Sequence, residues 1–396
     1  MAATITFVQL DYYKMGSGVY RHGILLPRNG FRHLFHRDGK TATVDVFLDG
    51  MGSMRINTNG KTDATIMMDP GRAAGMDEAT MVLLAAIPMA LHPQAGTVAA
   101  IGLGSGLTTH ALLLNPRISR VDTVEIEEAI VTAAQNFRPN VELAYTDPRS
   151  RIIVDDAKTF FSTHHNNYDI IISEPSNPWV SGVSGLFSEE FYRQVKSHLT
   201  ADGLFVQWVQ LYEINSDLVF SVLKAISVNF SDYVIYAPDD LDIVIVGKKS
   251  GLIPAPDASL LKHPPLAAAL NRIRITGIQD LALRKVGDRK SFGKLIESVP
   301  IRANSDYHPI LDQNAARTRF LNESAQELLY FARLPLPVSV LLSGAAPPQE
   351  PTGINPTAAF LLSQEATNAM ALRDYFILDQ RFDAVAENDR NAALRV

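Results

Sequence analysis

The sequence predicts a doubly wound α/β fold. It reads as a mostly parallel seven-stranded sheet covered by helices on both faces, with a small antiparallel β-domain before it and a helical extension after it. Three observations carry this. From residue 77 to 247, short apolar runs alternate with helix-period segments, the rhythm of parallel strands joined by crossover helices. A glycine-rich turn, Gly102-Leu103-Gly104-Ser105-Gly106, separates the first of those strands from its helix. The stretch before residue 77 has no helical periodicity and is dense in turn signals.

Residues 1–76 are punctuated by Pro27-Arg28-Asn29-Gly30, Arg37-Asp38-Gly39, Asp49-Gly50 and Asn57-Thr58-Asn59-Gly60, with alternating runs such as Thr41–Leu48 between them. That pattern predicts hairpins. Asp77–Leu91 then reads as a helix with Asp77 as its N-cap. Strand Thr97–Ile101, helix Leu107–Leu114, strand Val121–Glu125 and helix Glu127–Phe137 follow. Strand Ile152–Val154, a helix from Ala157, strand Tyr168–Ser173 and helix Ser188–Leu199 continue the alternation. Strand Leu204–Trp208, helix Asp217–Asn229 and strands Tyr233–Tyr236 and Asp242–Val246 complete the sheet, the last two as an antiparallel hairpin edge. A mixed tail extends this domain, 77–320, and 321–396 predicts three or four helices broken by the Pro- and Gly-rich linker Ala345–Pro356.

With 396 residues and 46% hydrophobic content the chain is long enough for a large core. A net charge of −6 offers no basic field for nucleic acid. Zero cysteines exclude disulfides, thiolate catalysis and Cys-ligated metals. The ten histidines show no paired ligand spacing on one helix, and His33 and His36 fall in a turn-rich stretch, so no metal is expected. No secretory signal opens the chain, and the most apolar run, Met81–Leu91, is too short to span a bilayer. Both ends read as those of a piece of a longer protein.

Four segments carry chemistry. The glycines Gly102, Gly104 and Gly106 let backbone approach a ligand closely at a helix start rich in free N–H groups; the bland reading is a tight turn. Glu125, at the end of the next strand, suits the two ribose hydroxyls of a nucleotide, against a solvent-facing Glu with Glu127 and Glu128 serving the helix dipole. Asp155-Asp156-Ala157 after the third strand offers an adenine acceptor, or an N-cap, or both. The fourth strand delivers Glu174 beside a Pro-stiffened loop, Pro175-Ser176-Asn177-Pro178-Trp179, at the strand end where such sheets hold ligands.

From about Asp38 to Arg317 these segments resemble the spermidine synthase family of aminopropyltransferases, and with it a Rossmann-like nucleotide domain. The stretch Asp38-Gly39-Lys40-Thr41-Ala42-Thr43, Gly185-Leu186-Phe187, Gly203 and Asn304-Ser305-Asp306-Tyr307-His308 belong to the likeness. Glu174 to Trp179, with Gln207-Trp208-Val209-Gln210-Leu211-Tyr212, is similar to a bacterial subgroup whose synthase-like domain is joined to a membrane-spanning segment. The resemblance implies ribose binding by Glu125, adenine binding by Asp156 and Ala157, and a catalytic carboxylate at Glu174. It places a gate and substrate loop at Ser176, Asn177, Pro178 and Trp179, with Gln210 and Tyr212 beside it. The substrate it implies is S-adenosylmethionine or its decarboxylated form, bound at Gly102, Gly104, Ser105 and Gly106. It also implies attachment at the cytoplasmic face of a membrane, and a homodimer.

Departures are equally specific. Asn177 stands where the family has a second Asp, the family's Tyr-Gln pair is absent from Glu78–Leu84, and its late Pro-Thr-Tyr loop is replaced by Ala237-Pro238-Asp239-Asp240. Ser105 stands where an Asp grips the amine of the aminopropyl tail. An Asp about 4 Å from the carboxylate of intact S-adenosylmethionine costs roughly 4 kcal/mol at an effective dielectric near 20. Ser105 therefore predicts a preference for the intact sulfonium. The leading expectation is alkyl transfer that releases methylthioadenosine, including cleavage by the substrate's own carboxylate rather than standard putrescine aminopropylation. Ordinary polyamine aminopropyl transfer, methyl transfer and non-catalytic ligand binding remain as alternatives.

Overall fold

The computed structural model describes residues 11–329. Strands β1 (Phe31–Asp38), β2 (Thr43–Asp49), β3 (Ser53–Thr58) and β4 (Lys61–Met67) form an antiparallel sheet in sequence order. The last hairpin turns at Asn59-Gly60, both at positive φ (51° and 78°), which is the geometry Asn-Gly favours between two strands.

Helix α1 (Met76–Leu91) carries Pro88 in its last turn and is buried on nearly every side, as expected of a helix wedged inside a core. Its N-cap is Gly75, not Asp77. The Glu78 carboxylate reaches back to the Gly75 amide (2.9 Å) and also accepts from the Met67 amide (2.9 Å). Glu78 thereby closes the helix start and anchors β4, which frees Asp77 for another role.

The main sheet has eight strands. After α1 come β5 (Thr97–Ile101), α2 (Leu107–Leu113), β6 (Arg120–Glu125), α3 (Glu128–Ala133), α4 (Glu142–Thr146), β7 (Ser150–Val154) and α5 (Ala157–Thr163). Then follow β8 (Tyr168–Ser173), α6 (Glu189–Ser197), β9 (Leu199–Gln210), α7 (Ser216–Asn229), β10 (Asp232–Tyr236), β11 (Asp242–Lys248) and β12 (Lys285–Asp288). The order is β12-β10-β11-β9-β8-β5-β6-β7, parallel from β9 to β7 and antiparallel among β9, β11, β10 and β12. The hairpin β10–β11 is where the sequence placed it, but β12 is an additional edge strand. Its four residues, Lys-Val-Gly-Asp, are too short and too polar to show alternation. The tail between β11 and β12 and beyond is largely helical, with α8 (Pro264–Arg272), α9 (Ile278–Ala282), α10 (Arg289–Ser298) and α11 (Ile310–Phe320).

Strand alternation divides the core between the two faces. Ile170 and Ile172 of β8 pack into one apolar cluster with α1, and Ile171 into the other with α6 and α7. The chain runs outward from β5 to β7, then returns to the opposite side of β5 as β8. The strand order thus reverses between β5 and β8, and the crevice beyond their carboxyl ends is where open α/β sheets take ligands.

No helix among the described residues is long and apolar enough to cross a membrane. Of the helical extension expected at 321–396, only the start to Leu329 falls within the described residues. There Ala325, Leu328 and Leu329 are buried against the core face that includes α7.

Candidate functional site

The glycine loop follows β5. Gly102, Gly104 and Gly106 all lie at positive φ (92°, 52° and 90°), where a side chain would be strained. At Gly102 the requirement is also steric, because a Cβ would sit 2.4 Å from the Glu174 carbonyl oxygen. The bare backbone lets the ends of β5 and β8 close on each other, and the Glu174 amide donates to the Ile101 carbonyl (3.0 Å).

A cleft of about 430 Å³ opens at this point. Gly102, Gly104, Glu125, Asp155, Asp156, Ala157, Glu174, Ser176 and Tyr212 line it, so the residues predicted for a nucleotide are gathered at one site. Glu125 is almost fully buried. Its two oxygens accept from the amides of Leu103 (2.9 Å) and Glu127 (3.0 Å). Burial pushes its carboxyl up to about 7, against the pull of those two amides. Asp156 caps α5, accepting from the Thr159 amide (2.8 Å) with one oxygen while its residue still borders the cleft. Capping and ligand lining coexist there. Glu127 caps α3 and turns its second oxygen to the amides of Thr41 (2.6 Å) and Ala42 (3.2 Å), which fastens the N-terminal hairpin over the cleft.

Several of the expected residues do not line the cleft. Ser105 is fully buried and does not line the cleft. Its hydroxyl sits 3.1 Å from the Met81 sulfur and accepts the Leu107 amide (3.4 Å), so the loop's φ pattern turns it inward toward α1. Gly106 caps α2 and faces Val141 and Ala144 rather than the cleft. Asn177 and Pro178 turn their side chains into the protein, with the Asn177 side-chain amide donating to the Tyr212 hydroxyl (3.3 Å). Trp179 packs edge-on against Tyr212 (6.4 Å) instead of presenting a ring face to the cleft. Gln210 is also fully buried and does not line the cleft. Only Ser176 and Tyr212 of the predicted loop set reach the cleft. Ser176 donates to Asp63 (2.8 Å), which also pairs with Lys61 (2.5 Å), so β4 holds the loop from the other side.

Glu174 stands at the centre. Its carboxylate accepts from the Thr108 hydroxyl (2.7 Å). Burial raises its carboxyl to about 7, and the charge of Asp77 pushes the same way. Three carboxylates absent from the predicted site join it: Asp77, Asp239 and Asp242. Thr80 lies between the last two, donating to Asp242 (3.0 Å) with Asp239 at 3.4 Å. Burial, reinforced by neighbouring carboxylates, raises Asp239 to about 6 and Asp242 well above the usual carboxylate range. Burial raises Asp77 as well. Asp239 lies in the loop that departs from the family pattern, Asp242 opens β11, and Asp77 was hidden by its fitness as an N-cap. Such a wall of carboxylates, poorly solvated and mutually repelling, favours a cationic occupant.

Residues 78–238 match the profile of the spermine/spermidine synthase domain. Over those residues this chain is similar to that domain. The polyamine aminopropyltransferase of Desulforudis audaxviator is 27% identical over 141 residues, 36% of this chain and 51% of that protein. The polyamine aminopropyltransferase of Moorella thermoacetica is 34% identical over 137 residues, 35% of this chain and 48% of the relative. The chain thus spans about half the length of the curated relatives it matches. Among solved structures, spermidine synthase from Thermotoga maritima is 22% identical with a TM-score of 0.47, covering 56% of this chain and 74% of that one. The matched stretch holds both Glu125 and Glu174, and the N-terminal hairpins lie before it.

Proposed function

We propose that this protein is an aminopropyltransferase, taking decarboxylated S-adenosylmethionine and an amine and releasing methylthioadenosine. The observation that carries the reading is the carboxylate wall of Asp77, Glu174, Asp239 and Asp242 at the far side of a cleft whose near side holds Glu125 and Asp156. The adenosyl part would occupy the near side, and the ammonium of the aminopropyl chain would meet the wall. This reverses the preference inferred from Ser105, which turns away from the cleft and so says nothing about the tail. It also ranks ordinary aminopropyl transfer above cleavage by the substrate's own carboxylate. The carboxylate that intact S-adenosylmethionine adds to its tail would meet four acids there, and the curated relatives are polyamine aminopropyltransferases.

In this mechanism the amine nitrogen attacks the carbon next to the sulfonium. The carbon–sulfur bond breaks, its electron pair stays on sulfur, and neutral methylthioadenosine departs. The attacking amine, with a pKa near 10, must lose a proton. Glu174 accepts it, and a carboxyl held near 7 is a stronger base than an ordinary one. Incubation with each sulfonium, with and without a diamine, followed by mass analysis of the nucleoside, tests the reading. Methylthioadenosine together with an aminopropylated amine is expected. S-adenosylhomocysteine would replace the proposal with methyl transfer, and recovery of unchanged sulfonium would leave only ligand binding.

Glu125→Ala is expected to weaken binding of the sulfonium by at least about ten-fold in calorimetry, because charge-assisted hydrogen bonds are worth about 1.5–3 kcal/mol. It also leaves the amides of Leu103 and Glu127 without acceptors, so Glu125→Gln, which keeps one oxygen, separates lost affinity from a disturbed loop. Unchanged affinity in both variants would remove Glu125 from the nucleotide site.

A further inference from the structure

Outside the cleft, the N-terminal sheet contains a cluster that the proposed chemistry does not use. His33 and His36 were read from the sequence as lying in a turn-rich stretch, but both are on β1. Residues three apart on a regular strand point to opposite faces. Here the β1–β2 register shifts between His33 and Phe35, which inserts an extra residue and brings both imidazoles to the same face. Bulges of this kind re-aim side chains beside functional sites. Both rings converge on Asp45, the residue opposite His36 on β2.

The geometry is tight. His33 Nε2 and His36 Nδ1 each lie 2.8 Å from the same oxygen, Asp45 Oδ1. The carboxylate is fully buried, and the two imidazoles are only 14% and 11% exposed. Asp45 Oδ2 and His36 Nε2 are buried without a hydrogen-bond partner, although Asp38 stands 3.8 Å from His36 Nε2. Two imidazoles crowding one oxygen, beside an unsatisfied second oxygen, is a costly arrangement for a buried carboxylate if hydrogen bonding is its only purpose.

We propose that His33, His36 and Asp45 form a binding site for a divalent transition cation of the zinc class. One ligand atom from each residue lies within 4.8 Å of the others. Donor–metal bonds of about 2.0–2.1 Å place tetrahedral ligands about 3.3 Å apart, so the ring nitrogens need retreat from Asp45 Oδ1 by only about half an ångström. Two imidazoles and a carboxylate suit zinc, cobalt or nickel, whereas calcium and magnesium prefer oxygen alone. Asp38 would then orient His36 through Nε2, as carboxylates behind metal-bound histidines do. The cation would cross-link β1 to β2 within the sheet that carries Thr41 and Lys61 to the cleft.

The test uses the full chain, stripped with chelator and titrated with Zn²⁺ by calorimetry. One equivalent should bind, with a rise in thermal midpoint, since a ligand of the native state stabilises it. Asp45→Asn and His36→Ala should each weaken binding by at least about ten-fold, while His164→Ala, on the adjacent His164-His165 pair, should leave it unchanged. Should the variants fail to fold, Co²⁺ added to the unmodified chain decides the matter. The intense visible bands of a four- or five-coordinate ion with nitrogen ligands are expected. The weak spectrum of hydrated Co²⁺, absence of a stoichiometric Zn²⁺ site, or undiminished binding in Asp45→Asn would overturn the assignment.

Discussion

Glu174→Gln is expected to lower kcat by about 10²–10⁴-fold while binding the sulfonium nearly as well as the unmodified chain. The substitution keeps the shape and can still accept the Thr108 hydroxyl, so the loop between β8 and Trp179 should hold its place. What it removes is the one carboxylate that leaves the crevice end of β8 directly beside the glycine loop. The pH profile gives an independent readout. Burial raises the Glu174 carboxyl to about 7, so the basic form disappears as pH falls through that value and the rate should fall with it. A bound sulfonium stabilises the ionised carboxylate, so the limb in kcat should lie at lower pH than the limb in kcat/KM. Glu125, also raised to about 7, contributes a limb to kcat/KM through binding. In Glu174→Gln the kcat limb should therefore vanish while a kcat/KM limb persists. A variant with full kcat at every pH would remove Glu174 from the chemistry.

Most of the fold was legible because its signals are local. Buried parallel strands read as apolar runs, and β8 was placed residue for residue at Tyr168–Ser173. The strand that escaped, β12, pairs with β10 from far along the chain and carries no pattern of its own. Around the cleft, the residues whose position was legible were those set by the backbone: Gly102 at a crossing of strand ends, Glu125 and Glu174 at the tips of β6 and β8. The residues misplaced were those whose direction depends on packing. Ser105 and Gly106 sit in the glycine loop, but alternation within the turn sends them toward Met81 and toward Val141 and Ala144. Trp179 and Gln210 lie on segments that reach the cleft, yet neither faces it. The carboxylates missed, Asp77, Asp239 and Asp242, come from two elements far apart in sequence. They meet only because α1 packs against β9 and β11. Distance in sequence, rather than weakness of motif, hid them.

That acidic meeting point underlies the second large effect, the choice between the two sulfoniums. The decarboxylated form is expected to bind roughly 100-fold more tightly than S-adenosylmethionine itself. Burial and mutual repulsion raise both Asp239 and Asp242, so the pair ionises in steps, and the first step, as pH rises through about 6, places a negative charge at the cleft. A carboxylate about 6 Å from that charge loses about 3 kcal/mol at an effective dielectric near 20, which is roughly 100-fold in affinity. An ammonium group gains from the same field. The effect has a sign in pH. Asp239 is raised to about 6 by burial, so the pair becomes neutral as pH falls through that value and discrimination should shrink. Above it, and further as Asp242 ionises, discrimination should grow. Asp239→Asn removes the repulsion and leaves Asp242 to ionise alone, so the dependence should reduce to a single step, and adding Asp242→Asn should abolish it and bring the two affinities within about ten-fold of each other. Thr80 can donate to an asparagine oxygen as it does to Asp242, so the loop after β10 keeps its anchor. Calorimetric titration of both sulfoniums from pH 5 to 8 reads all of this. Equal affinities in the unmodified chain, or a discrimination that ignores both substitutions, would show that the tail does not meet this wall.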